Sequence, residues 1–120
     1  MTHEILKVTA EDVPGPVTVL TAAGEIDHDS RDVLADAAEE VLQRRGVRLV
    51  IDLSAVTFCD SGGLSLFIDL HRRVTARGGS LCLASPQATV LTVLQATNLD
   101  RLLDLHPTVD DAVRASSATG

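Results

Sequence analysis

The chain has no tryptophan, no tyrosine and only two phenylalanines among its 120 residues, so a core must come from Leu, Val, Ile and Ala. The same lack leaves almost nothing on which nucleic-acid bases could stack. Positive charge is scarce too: ten Lys and Arg stand against seventeen Asp and Glu, for a net charge of −7. That balance repels phosphate backbones and anionic lipid, which argues against nucleic acid and membrane surfaces as direct partners. No run approaches the ~18 consecutive apolar residues of a membrane-spanning helix, and residues 1–8 lack the basic and apolar segments of a signal peptide. The expected location is therefore cytoplasmic. Cysteine is limited to Cys59 and Cys82, with neither C-x-x-C spacing nor a His pair beside them. Zinc and thioredoxin-like chemistry are thus poorly supported, no metal site is expected, and both cysteines read as buried reduced thiols. His3, His28, His71 and His106 are scattered and read as surface or capping residues.

What the chain does have is 45% apolar residues, enough for a core, arranged in alternating patterns. Residues 4–10 and 17–23 are β-leaning runs separated by Glu11-Asp12-Val13-Pro14-Gly15-Pro16, where two prolines around a glycine make a turn. From about 30 to 45, Val33, Leu34, Ala37, Ala38, Val41 and Leu42 recur at helical spacing, with Asp27, Asp29 or Ser30 as candidate caps and Gly46 as the stop. Residues 49–53 form a short apolar run broken only by Asp52, as in strands buried on both faces. Leu64, Leu66, Phe67, Leu70 and Val74 predict a second helix, stopped by Gly78-Gly79. Residues 80–84 predict another strand, after which Ser85 and Pro86 open a helix and Asn98 ends it in a left-handed conformation. Residues 99–105 return toward the sheet, a last short helix reaches Val113, and residues from about 115 to 120 are expected to be a disordered tail. This order predicts one α/β domain over residues 1–120, a mixed β-sheet of four to five strands with helices packed against it.

The stretch that could carry chemistry is the strand-to-helix corner Cys59-Asp60-Ser61-Gly62-Gly63. A serine there can be a nucleophile, a phosphate acceptor or a helix cap. The five residues are similar to the serine segment of trypsin-like proteases, but those are double β-barrels and this pattern is α/β. A cysteine phosphatase loop starting at Cys59 would need an arginine where Ser65 stands. A P-loop would need a lysine after the glycines, and a hydrolase elbow would need glycine in place of Cys59. As a cap, Ser61 would accept from the N–H of Gly63 or Leu64 for about 1 kcal/mol. Asp60 would add on the order of 0.5 kcal/mol at the positive end of the helix. Two glycines in a first helical turn, each costing roughly 1 kcal/mol relative to alanine, then point to something that needs close approach.

The run Leu49-Val50-Ile51-Asp52 followed by Leu53-Ser54-Ala55-Val56-Thr57-Phe58-Cys59-Asp60-Ser61-Gly62-Gly63-Leu64 resembles the signature of STAS domains, specifically of bacterial anti-sigma factor antagonists. The resemblance extends to Gly24-Glu25-Ile26-Asp27, Gly78-Gly79 and Thr97-Asn98-Leu99. It implies a partner switch in transcription regulation and stress response, with no enzyme activity and no cofactor. In that family the serine or threonine after the aspartate is phosphorylated by an anti-sigma factor that is itself a serine kinase using ATP. Carried over, the acceptor is Ser61. The unphosphorylated form binds the anti-sigma factor and frees the sigma factor, and the phosphorylated form lets go until a metal-dependent serine phosphatase resets it. Asp60, Gly62 and Gly63 would border the partner, as would Asp27 from a neighbouring loop. The sequence departs from the family at Gly62, where Ser or Thr is common, and at Asn98, where glycine is common. Gly62 leaves open an alternative, a STAS scaffold or accessory subunit of a signalling or lipid-transport assembly that is never phosphorylated.

Overall fold

The computed structural model describes residues 5–118, so the expectations resting on His3, on Glu4 as a strand start and on residues 119–120 lie outside the described residues. β1 (Leu6–Val13) and β2 (Val17–Ile26) form an antiparallel hairpin across Pro14-Gly15-Pro16. β3 (Arg48–Cys59), β4 (Ser80–Ala84) and β5 (Asp104–His106) add to it in parallel, giving one five-stranded mixed sheet in chain order. The parallel crossovers run through α1 (Arg31–Leu42), α2 (Ser61–Ala76) and the pair α3 (Ala88–Ala96) and α4 (Leu99–Leu102), and α5 (Val109–Ala118) follows β5. The α/β class and the mixed sheet agree with the expected order, but residues 99–102, expected to lead back to the sheet, form α4, and β1 runs on through residues 11–13, expected to lie between the strands.

Aliphatic side chains fill both layers. Leu34, Ala38, Val41 and Leu42 of α1, Leu66, Phe67, Leu70 and Val74 of α2, and Val90 and Leu94 of α3 pack on the face of Leu20, Leu49, Ile51, Leu81 and Leu83. α5 covers the other face, where Ala112 and Val113 meet Val17, Val19, Val50, Cys82 and Ala84. A strand covered on both faces has to be apolar at consecutive positions, which is why residues 49–51 show no alternation.

Three further expectations give way. β3 is longer than expected: residues 54–59 stay extended and pair with residues 23–26 of β2 across two register shifts, because β2 runs on past the end of β4. This projection carries the corner beyond the middle of the sheet. Ser85 does not cap α3; it sits at φ 55° and its hydroxyl donates to the Pro107 carbonyl at 3.3 Å, while α3 starts at Ala88. The helix expected to stop at Val113 runs to Ala118, so 115–118 are helical rather than a disordered tail. Ser116 is buried, with its hydroxyl 3.4 Å from Cys82 Sγ, and Gly15 leaves room for Ser117. Small polar residues that look like a tail are there because α5 lies close on the sheet.

Two stop signals hold as expected. Gly79 N–H donates to the Val74 carbonyl at 2.9 Å and Gly78 N–H to that of Thr75 at 3.1 Å, a Schellman closure with Gly78 at φ 77°. Asn98 is left-handed at φ 59°.

Candidate functional site

At the end of β3 the chain turns on Asp60 and enters α2 at Ser61. Asp60 N–H donates to the Ile26 carbonyl at 3.1 Å, which sets the turn against the end of β2. The Asp60 side chain then folds back over the helix start. Its Oδ1 accepts from the N–H groups of Gly62 at 2.8 Å and Gly63 at 3.3 Å, and its Oδ2 accepts from His28 N–H at 3.2 Å. One carboxylate satisfies two orphan donors of α2, complements the positive helix end and ties down the loop that leads into α1.

This corrects the expected cap. Ser61 is the first residue of the helix rather than its cap; it is exposed, and its hydroxyl makes no hydrogen bond among the described residues. Capping and display are divided between neighbours, so the hydroxyl can be modified without removing the cap.

Both glycines are buried, and the close approach seen among the described residues is to the fold itself. A Cβ on Gly63 would lie 2.6 Å from Cys59 Sγ and 2.7 Å from Ile26 Cγ2, and one on Gly62 would lie 3.0 Å from His28 Cα. They let α2 sit down on the end of β2 and on the 27–30 loop. A serine or threonine at position 62 would need the His28 backbone to give by a few tenths of an ångström.

Asp27 shapes that loop. Its Oδ1 accepts from Asp29 N–H at 3.0 Å and Ser30 N–H at 2.8 Å, while Ser30 Oγ accepts from Asp27 N–H at 2.9 Å and donates to the Glu25 carbonyl at 2.7 Å. The bonds from Ser30, then the one from Asp29, hold the Asp27 carboxyl below its ordinary value. Ser30 occupies the cap position of α1 without a side-chain cap bond. The loop delivers His28, a residue sequence spacing did not bring to the corner. Phe58, two residues before Asp60, is 47% exposed.

No base hydrogen-bonds to Ser61 Oγ among the described residues. Burial pushes the Cys59 thiol up to about 12, with the Asp60 charge adding to the rise, so it is no nucleophile at neutral pH. The cap itself is testable: Asp60→Ala is expected to cost about 1 kcal/mol, seen as a lower urea midpoint at unchanged slope, while Asp60→Asn keeps the bonds to the helix N–H groups through its amide oxygen but loses the one from His28 N–H and so recovers only part of the cost.

The five-stranded mixed sheet with helices on both faces and the exposed serine at the start of α2 define an α/β domain that displays a strand-to-helix corner at its surface. Residues 7–112 match the STAS domain model, and the chain belongs to the STAS domain family. The resemblance read from residues 49–64 is borne out at that level. The anti-sigma-B factor antagonist of Bacillus subtilis is 32% identical over 92 residues, 77% of this chain and 84% of that protein. A crystal structure of an anti-sigma factor antagonist from Mycobacterium paratuberculosis superposes with a TM-score of 0.85 at 30% identity, covering 96% of this chain and 97% of that one. The anti-sigma factor antagonist SpoIIAA in its unphosphorylated form superposes at 0.72 with 25% identity over 89% of this chain and 93% of that one. The phosphorylated form of Bacillus SpoIIAA shares the fold at 0.70 and 22% identity, over 91% and 98%.

Proposed function

We propose that this chain is an anti-sigma factor antagonist whose binding is ended by phosphorylation of Ser61. The observation that carries the proposal is the exposed Ser61 hydroxyl on the first residue of α2, relieved of capping by Asp60. The names of the relatives support it, as does the existence of SpoIIAA in unphosphorylated and phosphorylated forms. In the unphosphorylated state the chain binds a serine-kinase anti-sigma factor and releases its sigma factor. The partner's ATP supplies the phosphoryl group to Ser61 Oγ, and a metal-dependent serine phosphatase removes it. The chain acts in the cytoplasm as a binding protein, not an enzyme, with no direct contact to nucleic acid or membrane. No helix among the described residues is long and apolar enough to cross a membrane.

The chemistry of the corner fits such a switch. A phosphate on Ser61 would lie at a helix N-terminus, where backbone N–H groups and the dipole tolerate negative charge, so the fold survives. It would also add about −1.5 to −2 charges beside Asp60, and a covering partner would then be repelled. Phe58 offers the partner an apolar anchor, while Asp27 and Asp60 border the same corner. Gly62 and Gly63 set its shape from beneath.

Ser61→Ala tests the acceptor. The variant is expected to fold with the wild-type melting temperature, to bind the cognate anti-sigma factor, and to gain no phosphate by intact mass after incubation with it and ATP. Wild type gains one. A phosphate on the variant would place the acceptor elsewhere, and a wild-type chain that binds but is never phosphorylated is the scaffold.

A further inference from the structure

Under α5, on the sheet face opposite to α2, strand pairing gathers three side chains that lie far apart in sequence. Cys82 pairs with Asp104 and Ala84 with His106, so Cys82, Asp104 and His106 fall on one face of the β4 and β5 edge. The Cys82 sulfur, a carboxylate oxygen of Asp104 and a ring nitrogen of His106 all lie within 4.8 Å of one another. Cys82 is buried and 3.4 Å from Ser116 Oγ of α5. His106 Nε2 is buried and has no hydrogen-bond partner among the described residues, while Asp104 is exposed and leaves a way in. The spacing of the two cysteines excludes compact zinc motifs; it does not exclude a donor set assembled across strands.

We propose that Cys82, Asp104 and His106 bind a divalent cation of the zinc class. A thiolate, an imidazole and a carboxylate are the three ligand types zinc takes, with bonds of about 2.0–2.3 Å, so tetrahedral ligands stand roughly 3.3–3.8 Å apart. The three donor atoms, within 4.8 Å of one another, draw together to that spacing around the ion. Calcium and magnesium prefer oxygen-only sites and are poorly served by this set. On binding, the Cys82 S–H proton passes to solvent and the sulfur lone pair forms the bond to the cation. Two anionic ligands and a neutral imidazole then balance the +2 charge. Water completes the sphere on the open Asp104 side, and the Ser116 hydroxyl holds the sulfur from behind. The cation must displace the thiol proton of Cys82. The bound ion joins β4 to β5 and, through Ser116, to α5. It is separate from the Ser61 corner.

The experiment is a titration of the reduced, chelator-treated full chain with Co2+ and then Zn2+. One equivalent of Co2+ is expected to bind with a thiolate-to-cobalt charge-transfer band, Zn2+ to displace it, and the melting temperature to rise. The band is expected to vanish in Cys82→Ala and to persist in Cys59→Ala. Asp104→Asn, on an exposed residue, and His106→Gln are each expected to weaken binding at least about tenfold. Asp104→Asn keeps the test decisive if Cys82→Ala fails to fold. No band at millimolar Co2+ with a folded chain, a band that survives Cys82→Ala, or an affinity unmoved by both Asp104→Asn and His106→Gln would overturn the proposal.

Discussion

Gly63→Ala is expected to cost about 2 kcal/mol of folding stability and to lower the melting temperature by roughly 8 °C, although alanine is the better helix residue. The helix gains about 1 kcal/mol from the substitution. Against that, the new methyl group would stand 2.6 Å from Cys59 Sγ, 2.7 Å from Ile26 Cγ2 and 3.0 Å from the Ile26 carbonyl oxygen. The side chains can shift a little. The carbonyl cannot shift freely, because it accepts the Asp60 N–H bond at 3.1 Å that fixes the turn. Overpacking of this kind costs typically 1–3 kcal/mol, and with backbone on one side the upper end applies. Cys59→Ala removes one of the three obstacles, so Gly63→Ala should cost less in that background than in wild type. Urea unfolding of the four proteins in the cycle measures the coupling. An equal cost in both backgrounds, or a stabilised single variant, would mean that α2 is not seated on β2 as tightly as these distances require.

The same residues show what was legible in the sequence. The aliphatic runs, the helical stripes, Gly78-Gly79 and Asn98 act locally, and each produces its expected element. The corner was legible as a strand-to-helix turn with two good capping residues, Asp60 and Ser61, and propensity ranks them alike. What separates them is tertiary: His28 N–H arrives from a loop 32 residues away and takes the second carboxylate oxygen, while two helix N–H groups share the first. A hydroxyl has one oxygen, so Asp60 takes the cap and Ser61 is left outside. The glycines were legible as a place of close approach, but the surface they press against, Ile26, Cys59 and His28, is invisible without the fold. The Ser-rich end was read as a tail because nothing local says that Ser116 meets Cys82. The grouping of Cys82, Asp104 and His106 has the same origin, since it exists only through the register of β4 on β5.

Ser61→Asp is expected to leave stability within about 0.5 kcal/mol of wild type and to weaken binding of the cognate anti-sigma factor at least about a hundredfold. Stability is spared because Ser61 is exposed, its hydroxyl bonds to none of the described residues, and the cap belongs to Asp60. A carboxylate in the first turn even gains a little from the helix dipole. Binding is not spared, because a partner that phosphorylates Ser61 must cover it. Two adjacent carboxylates at a covered helix end would then lose solvent, with no ion pair to Asp60 among the described residues, and like charges pressed together at an interface cost several kcal/mol. Ser61→Asn separates charge from size: it has nearly the shape of aspartate and is neutral, so it should bind within a few-fold of wild type. Calorimetric titration of the three proteins against one partner preparation compares them directly. If Ser61→Asn loses as much affinity as Ser61→Asp, bulk rather than charge ends the contact. If Ser61→Asp binds as tightly as wild type, phosphorylation at this corner cannot work through repulsion.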